Sequence, residues 1–546
     1  MDVKNKRVAI VGAGPSGLAA CKHALAKGFR PVVFESGAAV SGVWTRTLSS
    51  TTLQTPAAAF RFSDFPWPAE LAPEPEQSFP RHDEVAAYMT AYARRFGVLD
   101  CVRFRSKVLA AEYVGPPERE VAAWERWSGN GEAFGDGSGE WQLTVQHAHE
   151  SEGTQVRIDT VQTYRFDFLV LCVGRYGVAK VPKFPEGRGP EVFHGRVLHS
   201  MDYSGMAHAD ADELIRGKRV VVVGSGKSGL DTVAQCAKIN GSKNPCTLIY
   251  RSNHWMVDAK LIWGGISFGK LAMTRLSELM VHKPGEGFFL SLLATIFTPL
   301  RLLMASLVEA YYKTQIPLQK HGMAPECSFS QSILGWRLGT LPERFYDMVN
   351  EGSIQLTKTA AFSFCADGLV HDDGGTGERV VDADVVILAT GFDADRLLSG
   401  VFASPRFREI VVQAGGPSDA MLPLYRHCVH PRIPQMAVVG YAECAASIYP
   451  YEMMAKWVAH LLDGAVRLPG VAAMERSVAE WERWGRWAKR QSGGVFYLKS
   501  CIGAVTTWYH DQLCRDMGYS ARRKKGGGLL AEWLEPYGPA DYASIQ

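Results

Sequence analysis

The 546-residue chain carries eleven cysteines, yet no two stand at CxxC or CxxxxC spacing. That absence excludes a local zinc knuckle and the dithiol of a disulfide-exchanging enzyme, so no metal site is expected. Charge of one sign is not in excess either. Lys and Arg number 59 against 56 Asp and Glu, for a net +3, and no bulk field points to nucleic acid. HExxH and paired-carboxylate patterns are missing, which removes the zincin proteases and the paired-acid hydrolases. The first apolar strand begins within MDVKNKRVAIVGAG, leaving no room for a leader ahead of it, and the scattered cysteines fit a reducing, cytoplasmic setting.

Long apolar runs are also scarce. The uncharged apolar stretch Phe288 to Leu300 falls short of the roughly 20 residues a spanning helix needs, and Pro299 and Arg301 interrupt its continuation into LLMASLV. Two readings stay open for about 288–308: a buried helix pair or lid, which the interruptions favour, and a helix lying on a membrane surface. The basic cluster Arg522 to Lys525 reads as a solvated stretch.

What the chain does have is two glycine-rich turns. The first is Gly12-Ala13-Gly14-Pro15-Ser16-Gly17, preceded by VAIV and followed by a second apolar run that ends in Glu35. Glycines permit the tight strand-to-helix turn and let backbone N–H groups approach a pyrophosphate at a helix N-terminus. Glu35 then accepts hydrogen bonds from a ribose with free hydroxyls, as in FAD or NAD, and repels a 2′-phosphate. The second turn is Gly224-Ser225-Gly226-Lys227-Ser228-Gly229, preceded by VVVV, and its next strand ends in Arg251. A guanidinium there suits a 2′-phosphate, which selects NADPH over NADH. Lys227 and Ser228 are placed to reach its phosphates.

The spacing predicts an α/β protein with two Rossmann-like dinucleotide-binding domains, the first discontinuous and the second inserted into it. Residues 1–195 form the first part of the FAD-binding domain. Residues 196–384 form the NADPH-binding domain, with an insertion at about 255–335. Residues 385–546 return to the FAD-binding domain and add C-terminal helices. Helices are expected over Ser16 to Lys27, His82 to Phe96 and 472–491, where Trp481, Trp484 and Trp487 mark a packing face. The run 115–140, rich in Gly, Glu and Trp without periodicity, reads as a long exposed hairpin loop. FDFLVLCVG at 166–174 and its near echo DVVILATGF at 384–392 read as paired departures from, and returns to, the first sheet.

Between the two turns, Phe193, Gly195, His199 and Tyr203 fit an FxGxxxHxxx(Y/F) string. With SGVW at Ser41 to Trp44, FSDFPWP at Phe62 to Pro68, and LATGF at Leu388 to Phe392, the chain resembles a flavin-containing monooxygenase over nearly its whole length. HKPGEG, PLYRHCVHPRIPQ and DQLCRDMG resemble the plant group that includes the pipecolate N-hydroxylase of defence.

The resemblance implies FAD and NADPH as cofactors and O2 as co-substrate. NADPH reduces FAD, oxygen adds at flavin carbon 4a, and the hydroperoxide meets a soft nucleophile. It implies N-hydroxylation of a small amine or amino acid. The alternatives are S-oxygenation of a thioether, an uncoupled NADPH oxidase or a non-catalytic flavoprotein. Contact with the endoplasmic reticulum membrane surface through 288–308 is a further implication. Where relatives from animals and yeast carry an Asn beside the flavin, this chain has Gln54, whose amide is either catalytic or an ordinary strand polar group. Val43 and Trp44 fall on the FAD side or in the core. His199 is read as structural, at a point where Ala389-Thr390-Gly391 and the segment near Gly174 are the expected hinges.

Overall fold

Short runs of Val, Ile and Leu between glycine turns have no polar face, so they are stable only as strands covered on both sides. In the computed structural model they build two parallel sheets. It describes residues 3–72, 78–150, 157–264, 267, 271–372, 377–413, 421–444, 446, 448–494, 500–524 and 528–546. The first sheet has the order Met436–Val438, Phe168–Leu171, Arg7–Val11, Arg30–Phe34, Val102–Arg103. The second has the order Ile354–Lys358, Cys246–Tyr250, Val220–Val223, Val385–Leu388, Arg196–His199. All neighbours in both are parallel.

The helix Pro15–Ala26 covers the first sheet and packs against the almost wholly buried helix Ile448–Leu462. Helix Lys227–Asn240 holds the equivalent place on the second sheet. The tryptophan helix spans Val471–Gln491, with Trp481 and Trp484 buried. Trp484 Nε1 donates to the His282 carbonyl at 2.7 Å.

Four expectations are corrected. The strand in DVVILATGF does not return to the first sheet: Val385–Leu388 lies between Val220–Val223 and Arg196–His199 in the second. A buried apolar run ending in glycine specifies a central parallel strand but not which sheet receives it, and the second domain therefore extends past 384. The run 115–140 does join the antiparallel strands Ser106–Val114 and Glu140–Glu150 as a hairpin connection, but it is not exposed throughout. It holds the helix Glu118–Ala123 and buries Trp127, Ala133 and Phe134, and Trp127 Nε1 donates to the carbonyls of His430 at 2.9 Å and Ile433 at 3.0 Å. Its aromatics, not any periodicity, make it core.

The 288–308 segment is not a buried helix pair, although its inner face, with Arg301, Met304, Ala305 and Val308, lines the cavity beside the glycine turns as a lid would. Phe288–Gln315 is one helix with Pro299 inside it. Ala294, Ala305, Val308 and Tyr312 face inward, whereas Phe288 and Phe289 are 75% and 78% exposed and Leu307 is 63% exposed. The basic cluster is solvated only at Arg522, which is exposed. Arg523 is buried with Nη2 donating to Asp511 at 3.0 Å, and Lys524 Nζ meets Asp541 at 2.9 Å. Lys525 lies outside the described residues.

Two strips of chain join the domains. Lys180 N donates to Gly391 O at 3.0 Å and Asp393 N to Val178 O at 2.8 Å, while Thr390 Oγ1 donates to Lys180 O at 2.6 Å. The two segments expected as hinges thus run side by side, with Gly174 and Gly391 in the positive-φ region at +69° and +91°.

Candidate active site

The first glycine turn is a close approach of backbone to backbone. Gly12 has φ +100°, and a Cβ there would stand 2.5 Å from the Cys172 carbonyl oxygen. A Cβ on Gly17 would fall 1.9 Å from Gly12 O, so the helix can meet the strand only as glycine. The second turn repeats the device: a Cβ on Gly229 would lie 1.9 Å from Gly224 O, and Gly224 has φ +124°. Each helix then begins with free N–H groups aimed into the space above the sheet, after Gly14 in one case and Gly226 in the other.

The two turns differ in the charge set beside them. Glu35 accepts from Ala13 N at 2.8 Å through Oε2 and from Gly37 N at 2.6 Å through Oε1. This fixes the carboxylate against the turn, at the edge of the cavity, where it fits a ribose with both hydroxyls free. Pro15 and Ser16 follow at the helix start. Val43 and Trp44, in the short turn Gly42–Thr45, line the facing wall.

Arg251 is exposed at the end of Cys246–Tyr250. It has company that sequence reasoning missed. Arg337 Nη2 lies 2.9 Å from His254 Nδ1, and burial, then Arg337, then Arg251, push the His254 ring down to about 4. Two guanidiniums therefore face one neutral histidine, a setting for a dianionic 2′-phosphate. Ser225 Oγ donates to Ser252 O at 2.7 Å, tying the second turn to the end of that strand. Lys227 Nζ, by contrast, is held by Asp231 at 2.6 Å within its own helix, and Ser228 lies beside it on the cavity.

Gln54 lines the same cavity. Its Oε1 accepts from Thr340 N at 3.0 Å and from Thr340 Oγ1 at 3.3 Å. A backbone N–H can only donate, so the amide oxygen is the atom that faces Thr340 and the NH2 group is turned away from it. Trp263 Nε1 donates to Gln54 O at 2.8 Å and fixes the backbone as well. Neither Thr340 nor Trp263 is marked by any motif. His199 serves as a helix cap: Nδ1 accepts from Met201 N at 3.1 Å, and the buried ring packs edge-on against Phe392 at 5.5 Å. Burial holds it below the usual histidine range.

A charged pair also escaped sequence reasoning. Arg175 follows the strand Phe168–Leu171 and is buried, its Nη1 donating to Tyr441 O at 2.6 Å and its guanidinium 4.5 Å from the Tyr441 ring centre. Glu443 follows the strand Met436–Val438. The only signal for either is position, just past the carboxyl end of a parallel strand, where α/β folds collect ligands.

One cavity of about 1750 Å³ takes in both glycine turns, Glu35, Val43, Trp44, Gln54, Arg175, Trp336, Thr340 and Glu443. Two dinucleotide cradles of opposite ribose preference, opening on a shared cavity, define a flavoprotein oxidoreductase that takes electrons from a phosphorylated nicotinamide nucleotide. Residues 5–294 match the family described as flavin-binding monooxygenase-like, and the chain belongs to that family. It is an NADPH-dependent monooxygenase that uses FAD and NADPH.

Among its relatives, the chain is 33% identical to a probable flavin-containing monooxygenase 1 of Arabidopsis thaliana over 98% of this chain and 96% of the relative. It is 26% identical to flavin-containing monooxygenase 1 of Canis lupus familiaris, over 93% and 82%. Of solved structures, a steroid monooxygenase bound to NADP matches with TM-score 0.61 at 18% identity, covering 95% of this chain and 99% of that one. The S-allyl-L-cysteine S-oxygenase of Allium sativum matches with TM-score 0.54 at 19% identity, covering 94% and 89%. Both share the fold.

FAD, when bound, supplies the electron transfer and oxygen chemistry. The residues placed to do the rest are the glycine turns and helix N-termini, which would hold phosphates, Glu35 and Arg251, whose opposite charges would sort the two riboses, and Gln54, whose amide oxygen is fixed on Thr340.

Proposed function

We propose that the protein hydroxylates the nitrogen of a small amine or amino acid of about the size of pipecolate. The observation that carries this reading is the placing of Arg175 and Glu443 on one stretch of cavity wall, with Tyr176 and Tyr451 beside the guanidinium and Gly440, Cys444, Ile448, Gly503 and Ala504 around them. A fixed cation and a carboxylate on one wall suit a zwitterion better than a ketone or hydrocarbon. The full-length likeness to plant relatives supports the same direction. The test is NADPH consumption by the FAD-loaded enzyme across a panel of amines and amino acids, with mass spectrometry of products. N-hydroxylated product supports the reading, and its absence across the panel overturns it.

S-oxygenation of a thioether is the second reading, favoured by the fold shared with the Allium sativum enzyme, whose named substrate is itself an amino acid. Peroxide release matching NADPH consumption, with no product, would instead mark an uncoupled oxidase, and no turnover at all a non-catalytic flavoprotein.

We infer in addition that the protein is cytoplasmic and touches a membrane surface, that of the endoplasmic reticulum, through the helix Phe288–Gln315. Its exposed row of Phe288, Phe289, Ile296, Leu303 and Leu307 supports this. So does the short helix Gly528–Leu534, where Leu529, Leu530 and Leu534 are exposed. Both helices pack on Arg275–Leu279, which places two apolar faces about one support.

A further inference from the structure

Glu443 is held by its backbone and not by its side chain. Its N–H donates to Ser500 O at 3.2 Å and its carbonyl accepts from Ile502 N at 2.9 Å. The carboxylate, in the cavity wall, accepts no hydrogen bond among the described residues. Burial raises the proton affinity of the carboxyl above its usual range, and the Arg175 guanidinium opposes this. Glu443 is half-buried, and a carboxylate drawn partly out of water without hydrogen-bond donors is costly unless a ligand supplies them. The segment that fixes it continues to Gly503, where a Cβ would meet the Trp336 ring at 2.5 Å, and Trp336 and Thr340 lie on the Gln54 side of the same cavity.

We propose that Glu443 is the receptor for the substrate's amine. The carboxylate binds the ammonium form and takes one proton from it. R2NH2+ and the carboxylate become R2NH and the neutral acid, and the nitrogen lone pair is released for attack on oxygen. A protonated amine has no lone pair to offer, so the reaction needs such an acceptor where solvent is excluded. The raised proton affinity of this half-buried carboxyl suits that transfer. Glu443 then discriminates between a nitrogen and an isosteric neutral atom, which shape alone does not.

The proposal rests on the amine reading of the function, and binding tests it apart from turnover. The probes are pipecolate and tetrahydropyran-2-carboxylate, which differ only in a ring nitrogen or oxygen. Each is titrated calorimetrically into oxidised, FAD-loaded enzyme saturated with NADP+. The wild type is expected to prefer pipecolate by about tenfold or more, and Glu443→Gln to bring the two within about twofold. Glu443→Asp, which keeps the charge, retains a preference. Equal binding of the two probes by the wild type overturns the proposal, as does a preference that survives in E443Q or is lost in E443D. Loss of FAD from folded E443Q also overturns it, because the residue would then hold cofactor. If the preference is found while no N-hydroxylated product forms, the receptor stands and the proposed reaction falls.

Discussion

The carboxamide oxygen of Gln54 accepts the backbone N–H of Thr340 at 3.0 Å, and this one bond decides which end of the amide is left for chemistry. The NH2 group is the free end, so Gln54 acts as a donor. Gln54→Leu keeps the volume and loses the donor. It is expected to retain FAD and to lower coupled turnover about a hundredfold, with the missing oxygen recovered as peroxide. Gln54→Glu keeps an acceptor for Thr340 but has no N–H to offer, and should resemble Q54L. Coupled product formation in Q54E equal to wild type would show that the donor is not used.

The glycine turns predict a dissociation between the two cofactors. Gly17→Ala drives a Cβ to 1.9 Å from Gly12 O and is expected to yield protein without FAD. Gly229→Ala creates the same clash with Gly224 O but leaves the first turn intact. It should purify with FAD and fail to be reduced by NADPH. Flavin content and anaerobic reduction measure both, and a G229A variant reduced at wild-type rates would contradict the assignment.

These turns were legible in the sequence because their requirement is local: a strand, a glycine at a fixed offset, a helix. Gln54 and Thr340 are 286 residues apart, and Arg175 and Glu443 come within range of each other's charge only because their strands neighbour one another in the first sheet. No spacing rule reaches that far. The second domain's last strand was misassigned for a related reason, since Phe168–Leu171 and Val385–Leu388 have the same pattern and differ only in their neighbours. The helix Phe288–Gln315 escaped because an apolar run reads as core unless its surroundings fail to cover it.

We propose that Arg251 carries the choice of nicotinamide nucleotide. Arg251→Ala is expected to raise KM for NADPH by about 10- to 100-fold and to change KM for NADH little, because only the 2′-phosphate is lost to it. Arg337→Ala should move the same ratio in the same direction. Equal effects on both nucleotides would place Arg251 outside the ribose site.

Buried neutral histidines set an acid limit on stability. Burial is the leading cause that lowers His23 to about 4 and His427 and His430 to about 3, from an ordinary 6.5. The unfolded chain binds these protons first, so stability falls as pH drops through 6.5 toward 4 and rises in the other direction. Glu452, held down to about 2 with Lys456, His23 and Lys22 opposing its burial, adds a further loss between 4.5 and 2. Tm measured from pH 8 to pH 5 should be level at first and decline below about 6.5. A Tm that holds constant to pH 5 would contradict this.

The apolar face of the helix Phe288–Gln315 predicts vesicle binding. The holoenzyme should float with phosphatidylcholine vesicles, and the double variant Leu303→Glu, Leu307→Glu should remain below while keeping its FAD. Equal flotation of both would remove this helix from any membrane contact.

The most direct test of the central claim is turnover of the FAD-loaded enzyme with NADPH and a small amine under 18O2. The account predicts one 18O atom in an N-hydroxylated product for each NADPH consumed. Recovery of all the label in peroxide and water, with the amine unchanged, would contradict it.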